Sequence, residues 1–309
     1  MTQIVESANS VSLGDWAKER TGPNWLRWLG PVLSVGLIVA VANALGARDL
    51  LALWFRLPRT PGFWALLALL LSVQPLADYL IFRGLWQLPL AGLIPLFRKA
   101  AANELVLSYT GELQFYLWAR RHAKIPGSPF GAVRDVAVLS ALTGNVITLV
   151  LLALALPMLG KAWINPLGPH LVWAAIALIG SSFVVMLFRR RLFALSRAQI
   201  RRIATIHLTR SIVVTILFGA LWYYVQPSVA LGWWIILAAA RQFVTRLPFL
   251  PNKDLVFVGL AAGMLSGDPD LTMPIALVAT LFAAGQVLIG GVLAVTDLLG
   301  EASAPSDGD

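Results

Sequence analysis

LFRKAAANELVLSYTGELQFYLWARRHAKIPGSPFGAVR, residues 96–134, lies between long apolar segments yet carries Arg98, Lys99, Glu104, Glu112, Arg120, Arg121, Lys124 and Arg134. Basic pairs bracket its first part (Arg98/Lys99 and Arg120/Arg121), with Tyr109-Thr110-Gly111-Glu112 between them. Each arm has about 11 residues and, at about 1.5 Å per residue, reaches roughly 16 Å, half of a ~30 Å hydrocarbon core. The spacing predicts a re-entrant hairpin over Phe97 to Arg121 that dips to mid-membrane and returns. Backbone at that depth is tolerated only where protein or a water-filled cavity surrounds it. A cavity is therefore the first functional expectation.

The surrounding composition agrees. Only 13% of the 309 residues are charged and 58% are apolar, with a mean hydropathy of +0.77. Soluble domains carry about 25% charged residues, so an integral membrane protein is expected. Its parts are a polar, interfacial segment over 1–25, a single transmembrane domain over 26–299 and an acidic disordered tail over 300–309. Cysteine is absent, which excludes disulfides and thiolate chemistry. The net charge of +9 gathers near segment ends. Orientation and anionic headgroups explain that placement better than nucleic acid. The first 25 residues lack the apolar core of a cleaved signal peptide.

Outward from the hairpin, six full spans are expected: Leu26–Gly46, Gly62–Arg83 (with Pro75 and Asp78), Asp135–Leu159, Leu171–Phe188, Ile206–Val225 and Thr272–Leu298. Two further apolar stretches, Leu231–Leu247 and Leu255–Leu265, are separated by Pro248 to Asp254. The second is too short to span, so the pair predicts another re-entrant hairpin, with Gly259, Gly263 and Gly267 as a face for close backbone packing. The basic run Arg189–Arg202 stays cytoplasmic by the positive-inside rule, which puts both termini inside and the hairpins on opposite sides. Three arginines between Arg48 and Arg59 then fall outside. The expected fold is all-α: about six full transmembrane helices plus two re-entrant helical hairpins entering from opposite sides. Transporters use such opposed broken elements to place a substrate site near the midplane.

Glu104, Ser108 and Glu112 fall at helical spacing and share one face if that segment is continuous. Glu112 either lines the cavity at the hairpin tip or caps the second arm; intramembrane carboxylates mark functional sites by default. Arg241 and Arg246, with Lys253 in the turn, are either a cation set for a phosphate headgroup, suited to arginine's planar fork, or snorkelling and internal pairing with Asp254. Asp78 either partners one of these groups or forms a structural salt bridge. Arg210 is expected to be a snorkelling anchor. Trp25, Trp28, Trp64, Trp163, Trp222, Trp233 and Trp234 fit interfacial belts. His122, His170 and His207 lie near loops and suggest no metal site. No H-E-x-x-H, nucleophile elbow or phosphate loop occurs, and Gly160-Lys161 lacks the flanking residues of the last. Neither an enzyme nor a cofactor is expected.

GELQFYLWARRHAKIPGSPFGAV, residues 111–133, resembles the Gly-Glu segment of the flippase-like membrane family, which includes the transmembrane domain of lysylphosphatidylglycerol synthases. Leu247-Pro248-Phe249-Leu250-Pro251 resembles the start of that family's second motif; Asn252-Lys253-Asp254 replaces its glycines and no Arg-Glu pair follows. The family's charged residues in the span after the first hairpin have no counterpart around Ser140–Asn145. The resemblance implies movement of lipid between leaflets of a bacterial cytoplasmic (inner) membrane. The substrate would be an anionic or zwitterionic phospholipid or related amphiphile, held by Glu112, Arg241, Arg246, Lys253, Asp78 and Glu104. The alternative expectation is a non-transporting scaffold. Expected partners are membrane phospholipids, and a second copy of the chain or an envelope-lipid enzyme. The chain has no segment for the soluble domain of the lysyl-transferring members, so aminoacyl transfer is not expected.

Overall fold

A computed structural model describes Phe55, residues 57–105, 110–122, 129–155, Ile176, Gly180, and residues 195–246, 253–265 and 268–302. Among the described residues eight α-helices are bounded: α1 (Pro61–Trp86), α2 (Leu93–Leu105), α3 (Thr110–His122), α4 (Pro129–Ala155), α5 (Arg197–Val225), α6 (Leu231–Val244), α7 (Lys253–Met264) and α8 (Pro269–Ala302). No strand occurs among the described residues. Among the described residues four helices are long and apolar enough to cross a membrane: α1, Gly131–Leu151 of α4, α5, and Asp270–Leu293 of α8. The expected spans Leu26–Gly46 and Leu171–Phe188 fall outside the described residues, apart from Ile176 and Gly180.

Local chemistry sets the helix ends. Pro61 opens α1, where its fixed φ suits the first turn and its missing N–H costs nothing. Gln87 closes it in the left-handed region, at φ 50°, and its N–H donates to the Arg83 carbonyl at 3.0 Å. Ser196 starts α5 with a capping box: Gln199 N–H donates to Ser196 Oγ at 3.3 Å, and Ser196 N–H donates to Gln199 Oε1 at 2.9 Å. That box begins the helix well before the expected Ile206, so Arg197, Arg201 and Arg202 ride on its first turns instead of forming a loop. Charge alone does not break a helix, and arginine is a good helix former.

Helices α2 and α3 fold back on each other, as do α6 and α7. The first pair packs on α1, α4 and α8; the second packs on α4, α5 and α8. Two apolar clusters result. One joins Phe63, Leu67 and Leu70 of α1 to Phe218, Leu221 and Trp222 of α5, Trp234 of α6, Phe257 of α7 and Ile275 of α8. The other joins Ile81, Phe82 and Trp86 to Leu96, Phe115, Val136 and Ile203. Phe115 anchors the first hairpin there, its ring centroid 4.6 Å from that of Phe82 and 6.1 Å from that of Trp86. Between the clusters the long helices turn polar residues inward, and the site lies in that gap.

Two expectations are corrected. Trp222 and Trp234 are 1% and 0% exposed and belong to the core, whereas Trp64 and Trp233 are exposed. The reason is that both hairpin arms and α5 converge around these two indoles, 5.9 Å apart. Among the described residues nothing packs on Gly259 or Gly263: both are exposed, and no described atom lies within 4 Å of a Cβ built at either. Helix α7 instead buries Leu255, Phe257, Val258 and Ala261. Replacing Phe115 with alanine should cost about 3–5 kcal/mol of stability, as for other fully buried aromatics. Denaturant unfolding in detergent checks this, and a loss under 1 kcal/mol would mean the hairpin is not anchored through this ring.

Candidate functional site

Gln74 of α1, Ser140 of α4, Arg210 of α5 and Phe282 of α8 all lie near the middle of their helices, and all four line one cavity. Its volume is about 270 Å³, room for roughly nine waters at ~30 Å³ each. Glu104 at the end of α2, Glu112 at the start of α3, Arg241 on α6, and Lys253 and Asp254 at the start of α7 complete its charged wall. The ends of the two hairpins thus meet at half-height of the bundle.

The first hairpin brings a buried ion triad. Lys99 Nζ donates to Asp78 Oδ2 at 2.6 Å and lies 3.4 Å from Glu112 Oε1. Gln74 Nε2 donates to Asp78 Oδ2 at 3.0 Å, and Asn103 Nδ2 donates to Glu112 Oε1 at 3.2 Å. Asn103 Oδ1 accepts the Gly111 N–H at 2.8 Å. Gly111 is required at this crossing, because a side chain there would run into the Lys99 carbonyl. The Gly-Glu pair therefore has a physical reason: glycine lets the arms touch, and the next residue then delivers its carboxylate to the lysine.

The second hairpin brings cations. Arg241 Nε lies 2.6 Å from Asp254 Oδ1, and its guanidinium stands 3.5 Å from the centre of the Phe218 ring. The Arg241–Asp254 contact has salt-bridge distance without hydrogen-bond alignment, so its strength is Coulombic. Lys253 Nζ donates to the Thr245 carbonyl at 2.9 Å. Arg246 Nη2 donates to Gln242 Oε1 at 3.1 Å, and Gln242 Nε2 donates to Thr215 Oγ1 at 3.0 Å. Gly144 of α4 leaves space for the Arg246 guanidinium, which any larger residue would meet.

Glu104 joins the two sets. It is half-buried and interacts electrostatically with Arg241, Lys253 and Asp254, without an ion pair within 4 Å among the described residues. Arg210 Nη2 donates to Ser140 Oγ at 3.2 Å and faces Asp78 and Glu112. Three carboxylates and three cations line the wall. A phosphate can take guanidinium and ammonium donors here, and an ammonium group can take carboxylates. Any such ligand competes with internal ion pairs.

No family model, curated protein or solved structure matches the chain.

Of the residues singled out from sequence, Glu104, Glu112, Arg241 and Lys253 come together on the cavity wall. Asp78 stands behind it, reached through Lys99, and Arg246 turns toward α4 and Gln242. Glu112 sits in the first turn of α3 and lines the cavity. Glu104 and Glu112 do not share a continuous helix, because α2 ends at Leu105 and α3 begins at Thr110; Ser108 lies outside the described residues. Arg210 is no snorkelling anchor, and His207 is buried inside α5 and not near a loop. The polar residues His207, Arg210, Ser211 and Thr215 recur at helical spacing within an apolar span, a signal that could have placed both in the interior. Lys99 was visible only as half of a basic pair.

Replacing Lys99 with methionine leaves Asp78 and Glu112 without their shared cation and should cost about 3–5 kcal/mol. Adding Asp78→Asn should recover part of that loss in the same unfolding measurement. Equal stability of the single variant and the unaltered protein would show that the triad does not hold the hairpin.

Proposed function

We propose that this protein moves lipids between membrane leaflets, acting as a flippase for an anionic or zwitterionic phospholipid or a related amphiphile. The observation that carries the reading is the ionised cavity at the middle of four membrane-length helices, closed by two short helical hairpins. The arms of those hairpins have 13, 13, 14 and 12 residues, about 18–21 Å of helix at 1.5 Å per residue, short of a ~30 Å core. They are read as re-entrant elements that enter from opposite faces and meet near the midplane. Burying charges there is costly, and a charged headgroup in transit supplies a reason to keep them.

The outer faces of the long helices support the other half of the reading. Leu69, Leu76 and Leu80 on α1, Ile212 and Ile216 on α5, and Leu288 and Val292 on α8 are exposed. Acyl chains would remain against such surfaces while the headgroup crosses through the cavity. The resemblance of the Gly111-Glu112 region to the flippase-like family points the same way, and the reading places the protein in a bacterial inner membrane with both termini cytoplasmic. Headgroup phosphate would engage Arg241, Lys253 and Arg210, with Glu104 as the counter-charge it displaces. No catalytic step is assigned to any of these residues.

The test is purified protein in vesicles containing acyl-labelled fluorescent phospholipids, with an impermeant quencher added outside. The protein should accelerate lipid movement well above protein-free vesicles. Lys253→Ala should slow it about tenfold, equivalent to ~1.4 kcal/mol of lost headgroup interaction, and Lys253→Ala combined with Arg210→Ala should slow it further. Rates no faster than protein-free vesicles would overturn the transport reading. An unchanged rate in the combined variant would remove the cavity from it.

A further inference from the structure

A second chamber, of about 30 Å³, adjoins the cavity and shares Gln74, Glu112 and Ser140 with its wall. Asp78, Lys99 and His207 supply its other polar groups, and Phe82, Val133, Val136 and Ala137 form its apolar wall. The size is that of one water in the liquid, ~30 Å³. Several buried polar atoms at this chamber have no hydrogen-bond partner among the described residues: Asp78 Oδ1, Glu112 Oε2 and both ring nitrogens of His207. Asp78 and His207 are each 1% exposed. The Val136 carbonyl faces the imidazole, but without ordinary hydrogen-bond alignment. Burial without a partner disfavours each such atom, so a ligand that serves all three groups at once is strongly held.

The chemistry of that ligand follows from what surrounds it. A neutral imidazole offers one N–H, and two carboxylate oxygens offer acceptors. An added cation would face the Lys99 ammonium and Arg210, which already compensate Asp78 and Glu112. An added anion would face both carboxylates. A neutral molecule with two donors and an acceptor fits, at the volume of a single water.

We infer that this chamber holds one ordered water, which donates to Asp78 Oδ1 and Glu112 Oε2 and accepts the N–H of His207. Through that water His207 is a positioning residue. It fixes the free oxygen of Glu112 toward the chamber, so that this carboxylate stays paired with Lys99 and does not turn to the cavity cations. The water assignment stands on geometry alone, whereas its consequence for lipid movement rests on the transport reading above.

The experiment is electron cryo-microscopy of the full chain in lipid nanodiscs, at a resolution showing ordered water, for the unaltered protein, His207→Phe and His207→Gln. One density peak within hydrogen-bond distance of Asp78, Glu112 and the imidazole is expected. It should persist in His207→Gln, whose amide keeps an N–H donor, and vanish in His207→Phe. No peak in the unaltered protein, or a peak untouched in His207→Phe, overturns the water site. Should His207→Phe not fold, the unaltered protein and His207→Gln decide. In vesicles, His207→Phe should raise the lipid fraction giving half-maximal transport about fivefold, roughly 1 kcal/mol, with His207→Gln within about twofold of the unaltered protein. Density as expected without that difference refutes the positioning role. Density as expected with no lipid movement by any form leaves the water in place and removes the transport reading instead.

Discussion

Charge compensation midway along apolar helices is the constraint on which this structure depends. Asp78 stands in the second half of α1 with 1% of its surface exposed, and Arg241 on α6 with 6%. Neither could remain ionised there alone, because desolvation of an isolated charge costs several kcal/mol. Each is held by a partner from another element: Lys99 of α2 for Asp78, Asp254 of α7 for Arg241. The long helices therefore cannot form this interior without charged partners from the hairpins, which the two apolar clusters hold in place.

The two hairpins solve the problem differently. The first uses close approach: Gly111 lets α3 touch α2, and Asn103 bridges both arms by accepting from the Gly111 N–H and donating to Glu112. The second uses reach and an aromatic surface, with the Arg241 guanidinium over the Phe218 ring while Gln242 ties α6 to Thr215 of α5. The first end is rich in carboxylates and the second in cations, and Glu104 faces across the gap between them. Such an arrangement is stiff where pairs are tight and open to exchange where they are not. A charged ligand would act on the looser residues, Glu104 and Lys253, before it disturbed the Asp78–Lys99 pair.

Much of this was legible in the chain before any coordinates. The broken apolar stretches around Tyr109-Thr110-Gly111-Glu112 and Pro248–Asp254 announce helices too short to span, and charges in apolar surroundings announce an interior that must be polar. Glu104, Glu112, Arg241 and Lys253 follow from that logic. Arg210 and His207 lie close to the expected segment end at Ile206, but the capping box at Ser196 starts the helix a few turns earlier and so places both well inside it. The tryptophans show the same limit: an indole's sequence position cannot tell a lipid interface from a core closed by a second helix.

Periodicity, composition and helix-breaking residues thus determined by themselves that the chain is helical, membrane-length in several segments and interrupted in two. Those are local properties, set by backbone hydrogen bonding and the length of apolar runs. Which charges face one another was decided only by tertiary structure. Lys99 belongs with Asp78 and Glu112, and Gly144 faces Arg246, because packing brings residues far apart in sequence within a few ångströms. Coulombic pairing at that range depends on distances that no one-dimensional pattern encodes.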